Sequence, residues 1–179
     1  MGGYSSIRKL QEENPGMKIL VGFEAEFDPR KEQFLGELRE KVDYMILGQH
    51  FLDDEIGYKH IGKSGQDESV LSAYVDRVLE ALDLERFIYV AHPDIVNFIG
   101  DDETYAKHML RLLNEFKKRN LPIELNMGGF RDGYHYPSKR LIQLGLENKN
   151  DFIIAVDAHM PEEIVDYETY NILKKSLDI

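Results

Sequence analysis

Apolar runs of strand length recur five times along the chain, at 18–27, 42–49, 87–91, 122–127 and 152–156. Each is short for a buried helix, so each is expected to be a strand. Between them, apolar residues return every three or four positions, as in Tyr105, Met109, Leu112, Leu113 and Phe116. That spacing belongs to a helix with one face against a sheet. The pattern predicts helices at about 5–13, 29–41, 67–84, 102–119, 137–147 and 166–176. Asp28-Pro29 and Gly100-Asp101-Asp102 supply starts for the second and fourth of these. Strand and helix alternate throughout, which implies parallel strands joined by right-handed crossovers, hence an α/β barrel or an open α/β sheet. No linker, repeat or low-complexity stretch interrupts the pattern, so one domain is expected over 1–179. The stretch 53–67, with Gly57, Gly62 and Gly65, is expected to be the longest irregular loop. Loops of that length are often functional.

Composition narrows the chemistry. The 179 residues carry 22 Lys plus Arg against 33 Asp plus Glu, a formal charge of −11. Such a charge repels phosphate backbones and argues against duplex nucleic acid as a partner, while leaving room for a local cationic site that takes one small phosphate. With no cysteine, a disulfide framework, a thiolate zinc site and a cysteine-held iron-sulfur cluster are excluded, so any metal must be held by His, Asp and Glu. No apolar run approaches the roughly 18 residues that span a bilayer, and Met1-Gly2-Gly3-Tyr4 leads into polar sequence without a signal-peptide pattern. No membrane partner is expected, and the expected location is the cytoplasm.

The metal-competent residues fall at the ends of the apolar runs. Glu24 and Glu26 close the first, His50 the second, His92 the third, Asn126 the fourth, and Asp157 with His159 the fifth. In parallel α/β folds the C-terminal strand ends share one surface, so residues distant in sequence converge there. A single histidine beside a strand is more often a hydrogen-bonded or solvated residue than a ligand, and His60, His108 and His135 are read that way. Several strand ends bearing His or carboxylate side chains are harder to dismiss, and such mixed sets suit zinc, manganese or iron. The segment from Asn126 to Arg140 adds a glycine pair, Gly128-Gly129, that lets backbone approach a ligand, and Arg131, which could offer a guanidinium fork to a phosphate. Lys139 and Arg140 are expected to begin a helix and face solvent.

Taken in order, five segments resemble the PHP (polymerase and histidinol phosphatase) phosphoesterases, particularly the histidinol-phosphatase branch. They are Gly22-Phe23-Glu24-Ala25-Glu26, the run from Val42 to Leu52, Ala91-His92-Pro93-Asp94, the run from Asn126 to Pro137, and Asp157-Ala158-His159. The resemblance implies a distorted (βα)7 barrel with a trinuclear cluster of divalent metal ions at the C-terminal strand ends. It further implies hydrolysis of a small phosphorylated substrate such as L-histidinol phosphate. By the same resemblance Glu24, His50 and His92 would hold one metal, Asp157 and His159 would each serve another, and Arg131 would bind phosphate. The family's opening His-x-His strand has no counterpart here, since no histidine precedes His50. An incomplete barrel with five of seven strands present is therefore expected, with self-association through its open edges. A noncatalytic metal-binding fragment is the alternative to a phosphatase. The family's polymerase-associated branch, which acts on nucleic acid, is disfavoured by the charge and by the lack of a basic stripe.

Overall fold

The structure, a computed structural model, describes residues 2–54, 57–84 and 87–177. Helix α1 (Gly2–Glu13) is followed by β1 (Gly22–Ala25), α2 (Glu32–Arg39), β2 (Tyr44–Leu47), the pair β3 (Phe51–Asp54) and β4 (Gly57–His60), and α3 (Glu68–Leu84). The second half runs α4 (Asp102–Arg119), β5 (Ile123–Asn126), α5 (Met127–Arg131), α6 (Lys139–Glu147), β6 (Phe152–Ala155) and α7 (Tyr167–Ser176). Two 3-10 turns, Pro29–Lys31 and Pro161–Val165, precede α2 and α7.

Helix starts follow local chemistry. Asp101 accepts from the Thr104 amide at 2.8 Å and caps α4, whose first turn adds Asp102 and Glu103 and whose last turn carries Lys117, Lys118 and Arg119. Asn120, at φ +57°, ends that helix in the left-handed region that asparagine tolerates. Asp67 caps α3 through the Ser69 amide at 2.9 Å, and Ser138 caps α6 through the Leu141 amide at 3.1 Å. Asp28 accepts from the Arg30 amide at the start of the 3-10 turn.

The strands pair in parallel and in sequence order. β1 lies on β2 with Glu24 opposite Ile46, and β5 lies on β6 with Asn126 opposite Ala155. Between β2 and β5 runs the segment 87–91, bonded to β2 through Ile88 N to Met45 O at 2.9 Å and Ala91 N to Leu47 O at 2.8 Å. Only Val90 of that segment bridges both neighbours, Leu47 and Ile123. The expected third strand is thus reduced to one bridging residue, because the chain turns away at His92, whose φ is +33°, and at Pro93, which has no amide to donate. The wall therefore reads β1, β2, 87–91, β5, β6. Among the described residues β1 and β6 have no second strand partner.

Alternation along the strands divides the two sides of this wall. Ala25, Met45, Leu47, Val90 and Ile123 are buried in one cluster with Leu71, Val75 and Val78 of α3 and Met109, Leu112, Leu113 and Phe116 of α4. Each fully buried Leu, Ile, Phe or Met side chain contributes about 1.5–3 kcal/mol of transfer free energy, so this packing dominates the fold. A second cluster joins Leu125, Met127 and Ile142 to Leu173 and Leu177. The opposite side of the wall carries Glu24, Ile46, Tyr89, Glu124 and Ile153.

Two expectations are corrected. The stretch 53–67 is not wholly irregular: β3 and β4 form an antiparallel hairpin with Phe51 opposite His60, and its Glu55 and Ile56 lie outside the described residues. Period-two alternation is too short there to show in the sequence. Arg140 is not simply solvated but half-buried. Its guanidinium donates to the carbonyls of Phe98 at 2.9 Å and Gly100 at 3.2 Å and lies 4.4 Å from the centre of the Tyr105 ring. It ties α6 to the loop before α4. No helix among the described residues is long and apolar enough to cross a membrane.

Loss of that tie is measurable. Arg140→Ala should lower the unfolding free energy by about 1–3 kcal/mol, the range for charge-assisted hydrogen bonds together with a cation–π contact. Urea denaturation showing a change below about 0.5 kcal/mol would return Arg140 to a solvated surface role.

Candidate metal centre

The sheet sets the donors. Glu24 sits in β1, and Gly48 N donates to Ala25 O at 2.9 Å just beyond the end of β2, which extends the parallel contact toward His50. His92 follows the bridging residue Val90. The three side chains converge: Glu24 Oε1 lies 3.7 Å from His50 Nε2 and 3.5 Å from His92 Nε2. One donor atom from each falls within 4.8 Å of the others. A tetrahedral ion bonded at about 2.0–2.2 Å would separate its ligands by about 3.4 Å, so these spacings suit a single small cation.

Supporting bonds aim two of the donors. His50 Nδ1 lies 3.0 Å from Glu26 Oε2, and the same carboxylate accepts from the amides of His50 and Phe51 and from Gln49 Nε2. With its Nδ1 proton directed to Glu26, His50 offers Nε2 as a lone pair toward Glu24. Glu26, which closes the same apolar run as Glu24, is thus an orienting group rather than a member of the triad. His92 is buried, and its Nδ1 has no hydrogen-bond partner among the described residues. The imidazole is held in place while part of its bonding capacity goes unmet by protein.

Electrostatics follow this arrangement. The hydrogen bond from His92, helped by the charges of His92, His50 and His159, outweighs burial and holds the Glu24 carboxyl below its ordinary range. Burial disfavours the charged form of His50, but the Glu26 hydrogen bond and the charges of Glu26 and Glu24 outweigh it, and its pKa is raised. Both shifts are those of carboxylates and histidines that face one another and favour each other's charged form.

The triad opens into a cavity of about 420 Å³ lined also by Gly128, Gly129, Arg131, Asp132, Tyr134, Tyr136, Asp157 and His159. All six residues singled out from the sequence, Glu24, His50, His92, Arg131, Asp157 and His159, therefore border one space. They do not border it equally. Asp157, at φ +49°, accepts from Asn126 Nδ2 at 3.1 Å. His159 is mostly exposed, its Nδ1 lying 3.1 Å from the Asp157 carbonyl oxygen. Neither belongs to a second three-donor group among the described residues. Arg131 bonds Glu163 Oε1 at 3.3 Å and Asp132 Oδ1 at 3.2 Å through Nη2 and Nε, while its Nη1 is buried with no hydrogen-bond partner among the described residues.

The glycine pair lines the cavity from within a helical turn. Gly128 and Gly129 lie in the short helix α5, capped by Asn126 Oδ1, which accepts from Gly129 N at 2.7 Å. A Cβ on Gly129 would overlap the ring of Tyr136, so the glycine lets that tyrosine wall the cavity. Tyr136 stacks on Tyr134 with ring centres 5.6 Å apart, and burial pushes its hydroxyl up to about 12.

Sequence reasoning missed Glu124. It is 2% exposed, and its Oε2 accepts from the His92 amide and, at 3.2 Å, from Asn126 Nδ2. Burial pushes its carboxyl up to about 7. A carboxylate between Ile123 and Leu125 in an apolar run was the available signal. His60, His108 and His135 lie outside the triad: His108 Nε2 is 2.8 Å from Glu68 Oε1, His135 Nε2 is 2.8 Å from the Ile95 carbonyl, and the His60 ring centre is 6.2 Å from that of His50.

A family model described as the PHP domain matches residues 3–128. No curated protein matches the chain. Among solved structures, the chain is similar to a Listeria monocytogenes protein provisionally named as the histidinol phosphatase hisK, with a TM-score of 0.74 and 21% identity over 93% of this chain and 74% of that one. At that identity the likeness speaks for the fold.

Close packing against the triad yields a test. A Cβ on Gly48 would overlap the Glu24 carboxylate. Gly48→Ala should weaken uptake of divalent metal by about 10–100-fold, the range for mutations that misorient a ligand, with little change in far-UV circular dichroism. Calorimetric titration giving the wild-type affinity would show that metal uptake does not use Glu24 in this position.

Proposed function

The chain belongs to the PHP domain family, and from that premise we propose that it is a metal-dependent phosphomonoesterase acting on a small substrate of the L-histidinol phosphate type. The observation that carries this reading is the convergence of Glu24, His50 and His92 on one point in a cavity that Arg131 also lines. Three protein donors suit a catalytic metal position, which keeps a site open for water or substrate. Mixed nitrogen and oxygen donors suit zinc, manganese or iron. When bound there, such a cation acidifies water and offsets charge on phosphoryl oxygens.

The chain's own residues supply the rest. Glu26 keeps the Nδ1 proton on His50, so Nε2 stays available as a donor. The Arg131 guanidinium donates to an equatorial phosphoryl oxygen, where negative charge builds during in-line displacement, while Glu163 and Asp132 hold the group at the cavity wall. Tyr134 and Tyr136 form the wall against which the non-phosphate part of the substrate rests. Asp157 and His159 border the same cavity and are the groups available to a further cation.

A second reading, a metal-holding chain without catalysis, draws on one observation. The Asp157 carboxylate is engaged by Asn126 and His159 is mostly exposed, so the donors complete only one three-residue set among the described residues.

Metal content separates stoichiometries directly. Purified protein should retain about one equivalent of divalent metal after dialysis, because a site with a single protein ligand binds weakly. Elemental analysis giving none would remove the metal reading, and three equivalents would show that Asp157 and His159 complete further sites.

Phosphate release supplies the catalytic test. With metal loaded, the protein should hydrolyse L-histidinol phosphate, and Arg131→Ala should reduce turnover by about 10²-fold or more without changing metal content, as expected for a donor aimed at transition-state charge. Metal uptake with no phosphate release from L-histidinol phosphate or p-nitrophenyl phosphate would favour the noncatalytic reading.

A further inference from the structure

Glu124 is the buried carboxylate that the metal reading leaves without a role. Its position in β5 puts it on the side of the wall opposite Ile123 and Leu125, facing the triad. No lysine or arginine bonds it among the described residues. Instead a single oxygen, Oε2, accepts from two donors, the His92 backbone amide and Asn126 Nδ2. A carboxyl held in the interior without a partner cation is costly, and such groups persist where their acceptor oxygens hold something an apolar residue would not.

What these bonds hold is specific. His92 adopts φ +33° and Asp157 φ +49°, a region that non-glycine residues enter only when their surroundings impose it. The His92 amide is tied to Glu124. The Asp157 carboxylate is tied to Asn126 Nδ2 at 3.1 Å, and that same amide nitrogen is tied to Glu124 at 3.2 Å. Asn126 Oδ1 meanwhile accepts from Gly129 N at 2.7 Å and starts the helix that carries Arg131. One carboxylate therefore sits at the junction of the turn bearing His92, the strand end bearing Asp157 and the helix bearing Arg131.

We infer that Glu124 is a positioning residue for the metal centre, clamping the His92 backbone so that its Nε2 points at Glu24 and, through Asn126, setting the Asp157 carboxylate at the cavity wall. The inference rests on the metal reading above. Glu124 does not line the cavity and is not one of the converging donors, so it acts through His92 and Asn126 and not on a ligand directly. Gln at this position keeps an oxygen acceptor at the same reach. Asp keeps the charge and withdraws the acceptor by one methylene, and Leu removes it.

Manganese and zinc titrations of the purified chain, with melting temperature recorded for each variant, test this. Glu124→Gln should bind within about threefold of wild type, while Glu124→Asp and Glu124→Leu should lose about 10–100-fold in affinity. In the amide proton spectrum of the metal-free protein, the His92 signal should lie downfield in wild type and Glu124→Gln and move upfield in Glu124→Asp. Should Glu124→Leu fail to fold, the comparison of Gln with Asp decides alone. Folded Glu124→Asp with wild-type affinity and an unmoved His92 amide would overturn the inference. Affinity losses that follow melting temperature across all variants, Gln included, would reduce Glu124 to a structural role and overturn it equally. Wild-type protein that takes up neither metal would instead overturn the metal reading on which the inference stands.

Discussion

The parallel ladder that sets Glu24 opposite Ile46 decides where every donor of the site falls. Parallel strands all point their C-terminal ends one way, so a residue at or just past the end of each strand reaches the same rim. Glu24, His50, His92, Asn126 and Asp157 occupy that rim in sequence order because β1, β2, the 87–91 segment, β5 and β6 are neighbours in sequence order. An antiparallel neighbour would have carried its terminal residue to the far side. The ladder is held from behind by the burial of alternate residues, Ala25, Met45, Leu47, Val90 and Ile123, against α3 and α4. The packing therefore leaves the other half of each strand free to carry polar chemistry.

That polar side is organised by backbone hydrogen bonds more than by ion pairs. Glu26 accepts from two amides, one amide side chain and His50, and Glu124 accepts from the His92 amide and Asn126. An unpaired buried acceptor costs about 1–3 kcal/mol, so the buried Glu124 carboxyl stays because the His92 and Asn126 amides turn toward it, and bonds of the same kind fix the half-buried Glu26. Such arrangements hold imidazoles in one orientation before any cation arrives. Preorganisation of that kind is what a site needs if binding is not to be offset by the entropy of ordering its ligands.

The cavity pairs two chemistries at short range. Carboxylates and imidazoles line part of it, and Arg131, its Nε and Nη2 held by Asp132 and Glu163, lines it too. A cation and an anion could be held together there, which is the demand a phosphoryl group makes when its charge must be shared between metal and guanidinium. The tyrosine pair at 134 and 136 adds an aromatic surface to the same opening, and the glycine at 129 exists to admit it.

Sequence by itself determined the alternation of elements and most of the rim. Period and capping chemistry placed α3, α4 and β5 within a residue or two, because apolar spacing is a local property and Asp101 caps the helix that follows it. The polar and metal-competent residue types at five run ends were legible for the same reason, as was the resemblance that groups them. Tertiary structure alone decided which of those residues meet. Glu26 turns to His50 and leaves Glu24 in the triad, Arg140 is drawn onto Tyr105, the stretch after Phe51 pairs into a hairpin, and Glu124 reaches the His92 amide from 32 positions away. Each of these depends on a hydrogen-bond partner or a packed ring supplied by a distant segment, and no local pattern encodes the direction in which a side chain finds such a partner.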